Sequence, residues 1–195
     1  MSKEFPRTLI PTECISFPRC GHHALTNVLG HYFAENFHYC ETYRNGTRIG
    51  EGSNTNWQKN HDLNLDTPVL PDRNYIVQIR NPLEAIESWE TLDKRVAGRV
   101  VDSCENRITF YSSFVKKWIY GPVPWRLVVW YEDLMARPLP TVTSVIQFVT
   151  RTQNVDVARL QESLAKFPLE RRTQTCPTKY NKRKQARGDN PRLCR

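Results

Sequence analysis

The sequence has no Cys-x-x-Cys pair; its six cysteines, Cys14, Cys20, Cys40, Cys104, Cys176 and Cys194, are scattered along the chain. That argues against a zinc ribbon and a redox dithiol, and the thiols are read as reduced and mostly structural. No run of ~20 apolar residues exists to cross a bilayer, and Met1-Ser2-Lys3-Glu4-Phe5-Pro6 lacks the charged-then-apolar layout of a signal peptide. A soluble, cytoplasmic chain is the expectation. Also missing are an internal repeat, a low-complexity stretch outside the basic C-terminal end, and the Gly-x-x-x-x-Gly-Lys-Ser/Thr loop that cradles a nucleoside triphosphate. The last absence disfavours a nucleotide triphosphatase.

What is present suffices for one hydrophobic core. With 195 residues, 39% of them hydrophobic and 11% aromatic, the chain reads as a single domain over residues 1–195. Acidic side chains are in deficit, 20 against 28 basic, and the net charge of +8 favours an anionic partner. Much of the excess sits at the C-terminal end, from about residue 179, where Lys179, Lys182, Arg183, Lys184, Arg187, Arg192 and Arg195 crowd together. Composition alone makes this a solvated basic tail.

Three stretches repeat one pattern. Glu13 to Phe17 is short, apolar and β-prone, and after Pro18 and Gly21 it gives way to a helical run from His22 to Glu35. Tyr75 to Ile79 is a second strand, with a helix expected from Pro82 through Thr91 because proline suits a helix's first turn. Arg126 to Trp130 is a third, followed by the Tyr131-Glu132-Asp133-Leu134 turn and a helix opening at Pro138. Asp102 to Tyr120 reads as a long helix ended by Gly121-Pro122, and Cys40 to Pro71 as loop with one short strand near Trp57-Gln58-Lys59. Strands alternating with helices predict an α/β fold, a three-layer sandwich around a largely parallel sheet, with ligands at the carboxyl ends of the strands.

Ser16-Phe17-Pro18-Arg19-Cys20-Gly21-His22-His23 lies where the first strand meets its helix, so backbone N–H groups converge there with the positive end of the helix dipole. Gly21 lets the backbone approach an anion closely, and Arg19 offers a guanidinium. A plain strand-to-helix turn has the same look. Arg80 ends the second strand, and a helix from Pro82 brings the Ser88 hydroxyl round to the same side. In the polar loop, Lys59 and His61 pair an ammonium with a side chain whose ordinary pKa of ~6.5 suits proton transfer at neutral pH. Asp62 is an alternative base.

Together these segments resemble the sulfotransferase family, which uses 3′-phosphoadenosine 5′-phosphosulfate (PAPS). Phe17-Pro18-Arg19-Cys20-Gly21-His22-His23 is similar to its first signature, with Arg for the commoner Lys and with Cys20, His22 and His23 where hydroxyl side chains are usual. The resemblance implies a P-loop-like nucleotide fold, with the 5′-phosphosulfate held by Arg19 and the residues from Cys20 to His23. It places the 3′-phosphate on Arg80 and Ser88, and gives His61 as general base with Lys59 supporting the transferring group. Arg183-Lys184-Gln185-Ala186-Arg187-Gly188-Asp189-Asn190 has the spacing of the family's late phosphate element, which adds Arg183 and Lys184 to the 3′ site. Tyr131-Glu132-Asp133-Leu134 resembles a recurrent segment given a structural role. The implied activity needs no metal, no nucleic acid and no membrane span, and takes a hydroxyl or amine of a small-molecule or carbohydrate acceptor. A non-catalytic nucleic-acid binder is the competing reading of the basic C-terminal end, and a small-molecule kinase with an atypical phosphate loop that of the loop after the first strand.

Overall fold

The computed structural model describes residues 9–41 and 54–169. In chain order they form β1 (Thr12–Ser16), α1 (His22–Phe33) with a 3-10 turn (Ala34–Asn36), β2 (Tyr39–Glu41), β3 (Trp57–Asn60) and β4 (Asn74–Ile79). Then come α2 (Pro82–Ala97), α3 (Cys104–Val115) running into a π turn (Lys116–Tyr120), β5 (Trp125–Trp130), α4 (Tyr131–Ala136), α5 (Pro138–Thr150) and α6 (Val157–Lys166). The five strands pair in parallel in the order β2-β3-β1-β4-β5. Strand order reverses at β1, which puts a crevice at its carboxyl end.

Every residue of β1, β3 and β4 is buried, as expected of parallel strands covered on both faces. The two-residue period divides the core in two. Cys14, Trp57 and Ile76 point to the face packed by Leu25, Val28 and Leu29 of α1, Val142 to Val149 of α5, and Leu160 of α6. Ile15, Tyr75, Val77 and Ile79 point to the other face, against Ala85 and Ile86 of α2, Phe114 of α3 and Trp118 of the π turn. This is the expected α/β sandwich.

Differences from the sequence reading are local. The first helix ends at Phe33 and tightens into the 3-10 turn, whereas α2 runs past Thr91 to Ala97 and ends on Gly98 at φ 72°. At its start Asn81 caps α2 by accepting from the amides of Leu83 and Glu84, with Pro82 in the first turn. The segment expected as a turn from Tyr131 is helical, and β2 and α6 were not anticipated. Among the described residues no helix is long and apolar enough to cross a membrane. Four cysteines lie among them, all free thiols, with Cys14, Cys20 and Cys40 buried and Cys104 exposed.

Candidate active site at the carboxyl edge of the sheet

The loop after β1 is fixed before it reaches any ligand. Phe17 is fully buried against the rings of Trp89, Phe110, Tyr111 and Phe114, with centroids 4.9 to 5.9 Å away, so it pins the loop to the α2 and α3 layer. Arg19 and Gly21 both take left-handed backbone, at φ 72° and 79°. At Gly21 an added Cβ would sit 2.9 Å from Tyr131 Cδ2, so space as well as φ selects glycine. Gly21 is also the N-cap of α1 and supplies no side-chain acceptor, which leaves the first amides of the helix to other partners. The Cys20 thiol points to the Pro18 carbonyl (3.9 Å), and burial drives its pKa well up, so it stays neutral. Cys20 contributes backbone to this loop.

Beside it, β4 delivers Arg80. One guanidinium nitrogen, Nη1, donates to the Arg19 carbonyl (3.5 Å), Nη2 donates to Glu84 Oε2 (2.8 Å), and the group lies 4.3 Å over the Tyr131 ring. Its Nε is buried without a partner. Tyr111 holds the Arg80 carbonyl at 2.9 Å, and Glu132 Oε1 accepts from the Asn81 amide at the same distance. Ser88 reaches the same place from α2. Its hydroxyl accepts from Arg19 Nε at 3.1 Å and still has a proton to donate. Arg19, Arg80 and Ser88 therefore converge at the carboxyl ends of β1 and β4.

On the other flank of β1, β3 presents Lys59 and His61. The Lys59 ammonium is buried, 3.3 Å from His23 Nε2 and 3.7 Å from Glu41 Oε1. His61 Nδ1 is 2.6 Å from the Ser16 carbonyl, which can only accept; Nδ1 therefore carries the proton, and in the neutral ring Nε2 carries the lone pair. Burial pushes the His61 pKa down to about 4, against the pull of the Ser16 carbonyl and with added repulsion from Lys59 and His23. The ring is neutral at physiological pH. Asp62 is placed otherwise: Oδ1 accepts from the Thr67 amide (2.8 Å), and Oδ2 from Lys117 Nζ (2.7 Å) and Trp118 Nε1 (2.8 Å). Burial raises its pKa, but those hydrogen bonds outweigh it and hold the carboxyl below its usual range. Asp62 is thus an ionised, engaged group.

The two adjacent histidines of the first motif part company. His23 is exposed and turns to Lys59, whereas the His22 ring is buried between Cys14 Sγ (3.2 Å) and Thr26 Oγ1 (3.0 Å). Burial, reinforced by Lys59, drives the His22 pKa far down. A neutral His22 closes a directional chain: Thr26 donates to Nε2, Nδ1–H donates to Cys14, Cys14 donates to Gln78 Oε1, and Gln78 Nε2 donates to the Cys20 carbonyl. His22 thus braces the loop from beneath, and only its backbone stands at the helix N-terminus. Sequence reasoning missed Gln78, Glu84, Lys117 and Trp118 as parts of this site, whereas Glu132 belongs to the Tyr131-Glu132-Asp133-Leu134 segment already given a structural role. Arg183 and Lys184 lie outside the described residues. Among those described, no group of three or more His, Cys, Asp or Glu side chains is arranged to hold a metal ion.

No family model matches the chain, and no curated protein matches it. Among solved structures it is similar to the crystal structure of a sulfotransferase from Alicyclobacillus acidocaldarius, at 15% identity and a TM-score of 0.50. The likeness covers 81% of this chain and 90% of that one. The two share the parallel, helix-flanked sheet of the P-loop-like α/β fold.

Proposed function

We propose that this protein is a sulfotransferase that takes a sulfuryl group from PAPS and gives it to a hydroxyl or amine of a small-molecule or carbohydrate acceptor. The observation that carries the proposal is the 3.1 Å contact between Arg19 and Ser88. It joins the cation of one anion-binding motif to the hydroxyl of another, 69 residues apart in sequence, at the one edge of the sheet where α/β proteins bind ligands. The residues fit a nucleotide with two phosphates: amides at the start of α1, two guanidiniums, a hydroxyl donor, and an Arg80 Nε buried without a partner.

The nucleotide supplies the activated sulfuryl group; the protein orients it and manages charge and a proton. Arg19 and the loop amides hold the 5′ end, while Arg80 and Ser88 hold the 3′-phosphate. From the β3 side His61 Nε2 takes the acceptor's proton as the acceptor oxygen or nitrogen bonds to sulfur and the sulfur bond to the bridging phosphate oxygen breaks. Lys59 and Arg19 stabilise the negative charge that builds on the transferring group and on the departing adenosine 3′,5′-bisphosphate, so positioning and fixed electrostatics supply most of the rate.

Thermal unfolding with three ligands tests the proposal. Adenosine 3′,5′-bisphosphate at a hundred times its Kd should stabilise by about 2.7 kcal/mol, a midpoint rise of roughly 5–10 °C, while ATP and an oligonucleotide should not. Stabilisation by ATP alone would point to a kinase, and by the oligonucleotide alone to a nucleic-acid binder. Either outcome refutes the proposal.

A further inference from the structure

The backbone directly after His61 is strained, with Asp62 at φ 45° and Leu65 at φ 56°. Left-handed backbone at non-glycine residues persists only where the surroundings over-determine it, and such positions gather at functional sites. Here the surroundings are specific. The Asp62 carboxylate is fully buried; it takes the Thr67 amide on one oxygen and both Lys117 Nζ and Trp118 Nε1 on the other. Lys117 goes on to donate to the carbonyls of Leu65 (3.0 Å) and Thr67 (2.6 Å), so one ammonium closes the whole turn.

Lys117 and Trp118 are consecutive, and consecutive residues of an α-helix do not face one another. They meet one oxygen where the chain leaves the α-helix for a π turn, a form that recurs at functional sites. The π turn is itself locked. Gly121 closes it where a Cβ would lie 2.2 Å from the Lys117 carbonyl oxygen, and Arg126 Nη1, from β5, donates to the carbonyls of Trp118 (2.9 Å) and Gly121 (3.2 Å). Their hydrogen bonds tie the turn after β3 to the π turn and to β5, a tie that nucleotide binding at Arg19, Arg80 and Ser88 does not itself call for.

We propose that Asp62, Lys117 and Trp118 form a positioning latch for His61, in which the π turn holds the backbone beside the imidazole while Ser16 holds the ring. The proposal rests on the reading of His61 as general base. It makes Asp62 a positioning residue, acting through its neighbour and not on the acceptor.

Asp62→Asn and Lys117→Met test it by three measurements: turnover, affinity for adenosine 3′,5′-bisphosphate, and the NMR titration of the His61 ring. Lys117→Met keeps the proposal testable if Asp62→Asn does not fold, because Lys117 is partly exposed and Thr67 and Trp118 still bind the carboxylate. Turnover should fall about tenfold to a hundredfold with nucleotide affinity unchanged, as for a displaced catalytic group. The His61 titration should move up from about 4 as the ring gains water, and Lys117→Arg should restore most of both. A purely structural tie would lower stability and leave the titration alone, so folded variants with an unchanged His61 titration overturn the latch. The functional reading fails separately: if the parent neither binds the bisphosphate nor transfers sulfuryl, a His61 titration that still responds to Lys117→Met supports the latch, and one that does not respond refutes it.

Discussion

Acid should destabilise this protein through His61 as the pH falls below ~6.5. The ring is pushed down to about 4 from 6.5 by burial, and it is faced by Ser16 of β1, Lys59 of β3, His23 of α1 and Glu41 of β2. The folded pKa lies below the unfolded one. Between pH 6.5 and about 4 the unfolded chain therefore binds the proton and the folded one does not, so stability is complete above ~6.5 and drains away as pH falls. At pH 5, 1.5 pH units below the unfolded pKa, that amounts to roughly 2 kcal/mol relative to pH 7. His22, also held low by burial, adds to the slope in the same direction, while the lowered pKa values of Asp62 and Asp93 act only below the usual carboxylate range. Urea unfolding of the parent and of His61→Gln at pH 7 and pH 5 measures this, and the variant should recover the roughly 2 kcal/mol at pH 5. The same shift sets the activity profile. On the proposed role of the neutral His61 ring as base, turnover should rise with pH through about 4, not through 6.5, and be flat near neutrality, and the variant should lose ~10²–10⁴-fold. Equal slopes of stability against pH in parent and variant would refute the reasoning.

Other expectations concern the nucleotide side. Arg80→Ala and Ser88→Ala should each weaken adenosine 3′,5′-bisphosphate binding by ~1.5–3 kcal/mol, the arginine more than the serine, because both bonds end on an ionised phosphate; calorimetry with both affinities unchanged would remove them from the 3′-phosphate site. Glu84, in the first turn of α2, competes for Arg80 at 2.8 Å, a pair worth ~0.3–0.5 kcal/mol, so Glu84→Gln should tighten nucleotide binding about twofold. Weaker binding in that variant would mean that Glu84 orients the guanidinium more than it competes for it. Phe17→Ala removes a fully buried ring from four aromatic partners and should cost ~3–5 kcal/mol by denaturant unfolding. A loss below 1 kcal/mol would show that the loop is not pinned there.

The strands legible in the sequence are those whose own residues carry the signal. Glu13 to Phe17, Tyr75 to Ile79 and Arg126 to Trp130 are β-prone runs, the first two buried along their length and the third only in part, and each is followed by a residue suited to a turn or a helix start. β2 has no such signal: it is three residues long and takes its conformation from β3, with Tyr39 opposite Trp57 across an 18-residue interval. α6 does carry one, Asp156 as N-cap ahead of Val157, Leu160 and Leu164, but the rest of the helix is polar or alanine, and only Leu160 and Ser163 are buried. Within the site, Arg19, Arg80 and Ser88 stand at strand ends or on the helix that follows, where local pattern points to them. Their meeting depends on β1 and β4 being neighbours, a property of sheet order.

His22 and His23 mark the limit of local reading. Neighbours on a helix point about 100° apart, so one imidazole enters the core beneath the loop and the other faces Lys59, a division that follows from where α1 begins. Lys117, Trp118 and Arg126 are less legible still, because a lysine on a helix ordinarily reads as solvated, and their partner Asp62 lies 55 and 56 residues away from the first two. The β1 crevice thus divides the work. Its β4 flank gathers guanidiniums and a hydroxyl, with Glu84 on Arg80, the arrangement that the proposed anion site requires. Its β3 flank keeps a half-buried imidazole neutral, which needs burial and a rigid turn more than it needs charge. Motifs encode the first requirement in single residues, whereas the second is met by contacts between elements far apart in the chain.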